Sequence, residues 1–244
     1  MKKEEINELL KSYELLTSKI ENFFNSFIEE YQGTPIIEVK SRVKTVDSVL
    51  DKLLKKEYTL NEIKKLTDIA GIRIVSRVND DIYKLVCVLR ELMPFKIVEE
   101  RDYIRETIKE SGYKAYHLIV ESDGMFAEIQ ILTYAMKLFA DIEHSVIYKC
   151  KYNILVTDEI KEKLKYVAGL AEEFDFIYGM IYKLYYKRAK GMDDDGTFDS
   201  LKTFCDQTNA GLMLNIKDVA TSVLVQIRIE IEKIRRSLEE DEFE

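Results

Sequence analysis

Residues 113–132 read YKAYHLIVESDGMFAEIQIL, and this stretch decides the fold. Two apolar runs, 113–121 and 125–132, are broken by Ser122-Asp123-Gly124, and that arrangement predicts a β-hairpin. Side chains alternate between the faces of a strand, so Ala127, Ile129 and Ile131 point into a core while Glu128 and Gln130 share the opposite face. A carboxylate and an amide side by side among aliphatics form either a solvated strand face or a polar spot that does chemistry. The strand alone leaves both open.

Working outward, residues 70–75 (AGIRIV) have the β-branched character of a buried strand, 82–93 read as a helix over it, and 95–104 and 36–43 add further strands. An amphipathic helix is expected over 1–31, with Ile6, Leu9, Leu10, Tyr13, Leu16 and Ile20 at three- and four-residue spacing. Further helices are expected over 45–56, 134–148 and, at length, 158–190. The expected fold is therefore α+β, a mixed sheet of about five strands flanked by helices. GMDDDG at 191–196 reads as a linker, and 215–237 reads as a helix because the following IRRSLEEDE lacks strand character. These features predict one domain over 1–190 and a linker with a C-terminal helical extension over 191–244.

The bulk numbers narrow the function classes. With 46% hydrophobic and 34% charged residues in 244, the chain is neither disordered nor membrane-spanning, and 9 glycines with 2 prolines suit long helices. MKKEEINELL has no apolar signal core behind it, so the cytoplasm is the expected location. Three scattered cysteines, Cys87, Cys150 and Cys205, indicate neither a disulfide framework nor a zinc site. A net charge of −8 disfavours long nucleic acids, yet a compact basic patch still suits small phosphate ligands.

Such a patch is present. Arg42 and Lys44 alternate onto one strand face, and Lys52 and Lys56 stack one turn apart on the next helix, with Lys55 beside them. Lysines of this kind are either a solvated face or, with the arginine, a triphosphate clamp. Asp68 precedes the buried strand, near Arg73; if it lies beside Glu128, the two carboxylates form a natural Mg²⁺ site. The loop 101–114 carries Arg101, Arg105, Lys109 and Lys114 around Gly112-Tyr113, so Tyr113 is an exposed loop tyrosine or a platform for a base whose phosphates the cations hold. His117 falls on the same strand face as Tyr113. Glu143 sits on a stripe with Met136, Ala140 and Ile147, and a carboxylate there is expected to find a cation partner.

Taken in order, these segments resemble the synthetase domain of the RelA/SpoT family, and specifically its single-domain members, the small alarmone synthetases. The resemblance is carried by SRVK (Arg42, Lys44) with Lys52, TDIAGIRIV (Asp68, Arg73), ERDYI (Arg101, Asp102), KESGYKAYH (Lys109, Tyr113, His117), AEIQI (Glu128, Gln130) and FADIEHSVIYK (Glu143, His144, Lys149). It covers roughly 1–190 and implies a nucleotidyltransferase-like sheet and pyrophosphoryl transfer from ATP to the 3′-hydroxyl of GDP or GTP, giving (p)ppGpp. By that likeness Arg42, Lys44, Lys52 and Arg73 hold ATP, and Arg101, Lys109, Tyr113, His117 and Gln130 receive the acceptor nucleotide, Tyr113 by stacking on guanine. Asp68 and Glu128 bind Mg²⁺, Glu128 also helps deprotonate the hydroxyl, and Glu143 and His144 support the site. The likeness also implies a homo-oligomer, possibly a tetramer, and synthesis without hydrolysis, since neither His117 nor His144 precedes Asp.

Three departures stand out: Leu132 replaces the family's arginine after EIQI, Tyr116 replaces a small residue before His117, and Phe139 replaces a tryptophan. Two other functions stay in view. One is a toxin-type relative that pyrophosphorylates the 3′ end of tRNA, disfavoured by a tail ending in EEDEFE; the other is a non-catalytic nucleotide or RNA sensor, disfavoured by the presence of Asp68 and Glu128.

Overall fold

A computed structural model describes residues 3–31, 33–106, 109–145 and 158–189. The elements run α1 (Lys3–Glu30), β1 (Ile36–Val43), α2 (Val46–Lys55), a short 3₁₀ helix (Leu60–Lys65), β2 (Ala70–Ser76), α3 (Asn79–Leu92), β3 (Lys96–Asp102), β4 (Tyr116–Ser122), β5 (Met125–Thr133), α4 (Tyr134–Glu143) and α5 (Asp158–Ala189). The five strands form one mixed sheet in the order β1-β2-β5-β4-β3, antiparallel except where β2 runs parallel to β5.

The predicted alternation holds on β5: Ala127, Ile129 and Ile131 are fully buried, and Glu128 and Gln130 are only partly so. On the same buried face lie Ile72 and Ile74 of β2 and Leu118 and Val120 of β4. The α1 stripe behaves as its spacing demands, with Ile6, Tyr13, Leu16, Ile20 and Phe24 at 2% exposure or less. Together with Ile82, Leu85 and Leu89 of α3 they join one continuous core.

The hairpin turn is tighter than the sequence suggested. Ser122 pairs with Met125 inside the ladder, leaving Asp123 (φ +55°) and Gly124 (φ +73°) as the two turn residues. Two successive positive φ values match the right-handed twist of the flanking strands, and Asp-Gly adopts them at little cost.

Two other boundaries move. β4 begins at Tyr116, not at 113, because its neighbour β3 ends at Asp102 and offers residues 113–114 no ladder. β3 ends there because the buried Asp102 carboxylate accepts the backbone N–H groups of Ile104 (2.8 Å) and Arg105 (2.9 Å) and the Tyr83 hydroxyl (3.0 Å), locking a turn. α4 starts on a Thr133 cap that accepts the Met136 N–H at 3.2 Å, is α-helical to Glu143 and goes on in a π-helical turn at 144–145; the rest of the expected helix, 146–148, lies outside the described residues.

The chain divides into two compact units, 1–169 and 170–244. The sheet, α1 to α4 and the start of α5 belong to the first. In the second the described residues are the helical 170–189, with Ile177 and Met180 buried. The linker at 191–196 and the helix expected over 215–237 lie outside the described residues. Among the described residues no helix is long and apolar enough to cross a membrane.

Candidate active site

Strand register assembles the site. Residues directly opposite one another on paired strands point to the same face. One row across the sheet therefore carries Lys40, Arg73, Gln130, His117 and Arg101, from β1, β2, β5, β4 and β3. The next row carries Arg42, Gly71, Glu128, Ile119 and Glu99. Gly71 leaves an opening between Arg42 and Glu128, and the Arg42 side chain lies 3.6 Å from where a Gly71 Cβ would stand. The polar face of the sheet is thus a band of cations with one amide, Gln130, and one carboxylate, Glu128, near its middle.

Over β1, β2 and β5 this band floors a cavity of about 260 Å³. Asp68, just before β2, and Glu128 both line it, together with Arg42, Lys44, Arg73 and Gln130. α4 closes one side with Lys137, Asp141 and His144, one helical turn apart from each other.

Asp68 is charge-compensated from two elements. Its Oδ2 pairs with Lys44 Nζ at 3.2 Å, at the end of β1, and with Lys52 Nζ on α2. Its Oδ1 is buried and without a hydrogen-bond partner. Arg73 bonds Asp141 Oδ1 at 2.6 Å, so the arginine expected near Asp68 is held by α4 instead. Arg42 has no ion pair among the described residues and is exposed.

Glu128 takes a donor on each oxygen. His117 Nδ1 lies 3.1 Å from Oε1, and Gln130 Nε2 donates to Oε2 at 2.8 Å. His117 Nε2 is in turn 2.8 Å from the Tyr113 hydroxyl, so Tyr113 meets His117 by a hydrogen bond from outside the strand, not as a neighbour along one strand face. Burial, the largest influence on the Glu128 carboxyl, pushes its pKa up; the hydrogen bonds from His117 and Gln130 and the nearby Lys52 charge outweigh it, bringing the value down to about 2. Since the folded chain holds this proton more weakly than an ordinary carboxyl of pKa 4.5, the contribution to stability is fully present above pH 4.5 and is lost as the pH falls toward about 2. Melting temperature should drop through that window, and Glu128→Gln should flatten part of the drop; an identical pH profile in the variant would count against this account.

The cavity combines cations on a strand face with three carboxylates, Asp68, Glu128 and Asp141, of which Glu128 takes a donor on each oxygen; such a set can hold phosphate groups. A sequence profile described as a region found in RelA / SpoT proteins matches residues 41–153, which contain nearly all of it. Over 184 residues the chain is 37% identical to GTP pyrophosphokinase YwaC of Bacillus subtilis, covering 68% of this chain and 87% of that protein. The chain belongs to the RelA/SpoT family. Among solved structures, small alarmone synthetase 1 of Bacillus subtilis bound to its product pppGpp superposes with a TM-score of 0.65 at 32% identity, covering 77% of this chain and 98% of that one. The same protein bound to AMPCPP gives a TM-score of 0.59 at 31% identity, covering 75% and 99%. The mixed five-stranded sheet with flanking helices is thus the fold of this family.

In this RelA/SpoT-family chain the residues singled out from sequence fall into three groups. Arg42, Lys44, Asp68, Arg73, Glu128, Gln130 and His144 line the cavity, with Lys52 joined to it through Asp68. Tyr113 and His117 are joined to it through Glu128. Arg101, Lys109 and Glu143 are outside its lining. Arg101 lies opposite His117 in register but is clasped by Glu99 at 2.6 and 2.8 Å. Lys109 places its ammonium over the rings of Tyr103 (4.2 Å) and Tyr113 (4.8 Å), so the cation caps the tyrosine instead of leaving it an exposed loop residue. Arg105 stacks on Tyr83 at 3.7 Å.

Glu143 departs from expectation: it is half-buried at the end of α4, and among the described residues no cation pairs with it. Partial solvation at a helix end removes the need for a partner, and its charge is felt by the Tyr113 hydroxyl. Lys56 caps the end of α2 and is exposed, leaving Lys52 as the helix-borne cation of the site.

Sequence reasoning missed Lys40, Lys137 and Asp141. Strand alternation from Arg42 would have found Lys40, and the four- and three-residue spacing of Lys137, Asp141 and His144 would have found a polar face on α4. Leu132 is fully buried on β5, and Lys137 supplies the cavity with a lysine that the strand reading did not count. Tyr116 points away from the site and donates to Glu100 at 2.6 Å, so that departure is one of packing.

Proposed function

We propose that this chain transfers the pyrophosphoryl group of ATP to the 3′-hydroxyl of GDP or GTP, making (p)ppGpp. The observation that carries the reading is that Asp68 and Glu128, sixty residues apart in sequence, face one cation-lined cavity in a chain 37% identical to a GTP pyrophosphokinase.

Arg42, Lys44, Lys52 and Arg73 grip the triphosphate of ATP; the arginines offer planar forks, and Lys44 and Lys52 are already gathered at Asp68. Tyr113, Lys109, His117, Gln130 and Arg101 serve the acceptor side. The acceptor 3′-oxygen attacks the β-phosphorus of ATP, the bond between that phosphorus and the bridging oxygen to the α-phosphate breaks, and AMP departs. Glu128 receives the hydroxyl proton. A carboxylate of low basicity can do this because phosphoryl transfer passes through a loose transition state in which the chain's task is mainly to align the groups and balance charge.

A divalent ion fits the donor set. Asp68 Oδ1 is a buried oxygen without a partner and Glu128 shares its cavity; two carboxylates with room for substrate phosphates is what Mg²⁺ asks for, and among the described residues there is no larger cluster that would suit an all-protein cage. Bound there, Mg²⁺ would neutralise phosphate charge and acidify the attacking hydroxyl. Assembly into a homo-oligomer rests on the resemblance and on the exposed apolar residues Phe176 and Ile181 of α5.

The test is nucleotide analysis after incubation with ATP and either GDP or GTP, beside a parallel reaction with bulk tRNA. We expect equal amounts of AMP and a 3′-pyrophosphorylated guanine nucleotide, no product in EDTA, and recovery on adding Mg²⁺. Transfer only to tRNA would establish the toxin-type reaction instead, and nucleotide binding without turnover would establish a sensor.

A further inference from the structure

The hydrogen-bond chain behind Glu128 does more than line the site. Neither His117 nor Tyr113 lines the cavity; His117 is buried behind it, its side chain 7% exposed with the Tyr103 ring edge-on at 4.9 Å, and Tyr113 is half-buried. Glu128 Oε2 is held by Gln130, its neighbour on the same strand face. Oε1 depends on His117, a packed imidazole whose proton sits on the nitrogen facing Glu128 only if its far nitrogen has a donor to accept from. Tyr113 holds it, at 2.8 Å.

The roles follow from donor and acceptor chemistry. An ionised carboxylate only accepts, so Nδ1 of His117 carries the proton; in the neutral ring Nε2 is then the acceptor of the Tyr113 O–H. The hydroxyl thereby selects the tautomer that Glu128 requires. We infer that Tyr113 is a positioning residue for Glu128, acting through His117 and through its hydroxyl, independently of any stacking by its ring. This rests on the reading of Glu128 as the group that receives the acceptor proton. Its consequence is a mechanical link: Tyr113 follows Gly112 in the acceptor-side loop, so an acceptor seated against the Tyr113 ring also steadies the carboxylate that must take its proton.

The ring and the hydroxyl can be separated experimentally. Steady-state kinetics with saturating ATP and Mg²⁺ and varied GDP or GTP should be measured for wild type, Tyr113→Phe, His117→Asn and the double variant. Phenylalanine keeps the ring, so the acceptor KM should stay within about twofold while kcat falls about fivefold to tenfold, the worth of one hydrogen bond. In the His117→Asn background, where the asparagine amide still donates to Glu128 but cannot reach Tyr113, adding Tyr113→Phe should change kcat by less than about twofold. The sequence has only two histidines, so ¹⁵N imidazole shifts should resolve His117 and show the Nδ1–H tautomer, with the Nε2 resonance moving in Tyr113→Phe. A kcat for Tyr113→Phe within twofold of wild type, effects that multiply in the double variant, or an Nε2–H tautomer would overturn the inference while leaving the proposed function standing. A wild-type chain that forms no product would overturn the function itself.

Discussion

Replacing Glu128 with glutamine should reduce transfer by about a hundredfold to ten-thousandfold, the range for loss of a positioned general base, while ATP binding changes little. Glutamine has the same shape and can still accept a hydrogen bond, so the fold around β5 should survive; what disappears is the charge. That charge is built deliberately into the sheet. His117 and Gln130 each donate to it, Lys52 adds its field, and together they overcome a burial that would otherwise favour the neutral acid. Product formation by anion-exchange chromatography, with calorimetric titration of ATP, separates the two quantities. Turnover within tenfold of wild type would remove Glu128 from the proton-accepting role, and loss of ATP binding would move it to the donor-nucleotide side.

Gly112→Ala should be the most destabilising small substitution in the acceptor-side loop. Gly112 has φ +85°, a left-handed conformation that costs a residue with a Cβ about 1–2 kcal/mol. A Cβ there would stand 2.4 Å from the Cβ of Ala168 on α5, closer than atoms tolerate, and relieving such overpacking costs about a further 1–3 kcal/mol. Gly124 is the natural control: its φ is +73° but nothing lies within 4 Å of an added Cβ, so Gly124→Ala should cost only the conformational part. Denaturant unfolding of the two variants isolates the contact, and Ala168→Gly combined with Gly112→Ala should recover much of the loss. Equal destabilisation by the two alanines would mean that the Gly112 loop does not press on α5. Because Tyr113 follows directly, Gly112→Ala should also raise the acceptor KM.

The residues differ in how much of their placement could be read along the chain. Glu128 and Gln130 were legible because a strand has period two: once Ala127, Ile129 and Ile131 are core, the intervening side chains have one place to go. The α1 stripe was legible for the matching helical reason. Tyr113 was not, since whether 113–115 extend β4 depends on β3, which stops where the Asp102 carboxylate folds the chain back. Glu143 was misjudged because a stripe pattern treats each of its members as fully buried, whereas this carboxylate is half-exposed and needs no counter-ion. Lys137 and Asp141 were overlooked because helix 134–148 was read for its apolar face only.

Local periodicity, capping and turn chemistry are written into neighbouring residues, so the sequence alone determined the elements, the buried face of the sheet and, through six short motifs in order, the family. Only tertiary structure decided who meets whom: that Lys44 and Lys52 converge on Asp68, that Arg73 is taken by Asp141, and that Tyr113 reaches Glu128 through His117. Those meetings depend on the strand order β1-β2-β5-β4-β3, in which a parallel pairing brings residue 71 opposite residue 128. A register of that kind is chosen by the packing of the whole core, and no local pattern encodes it.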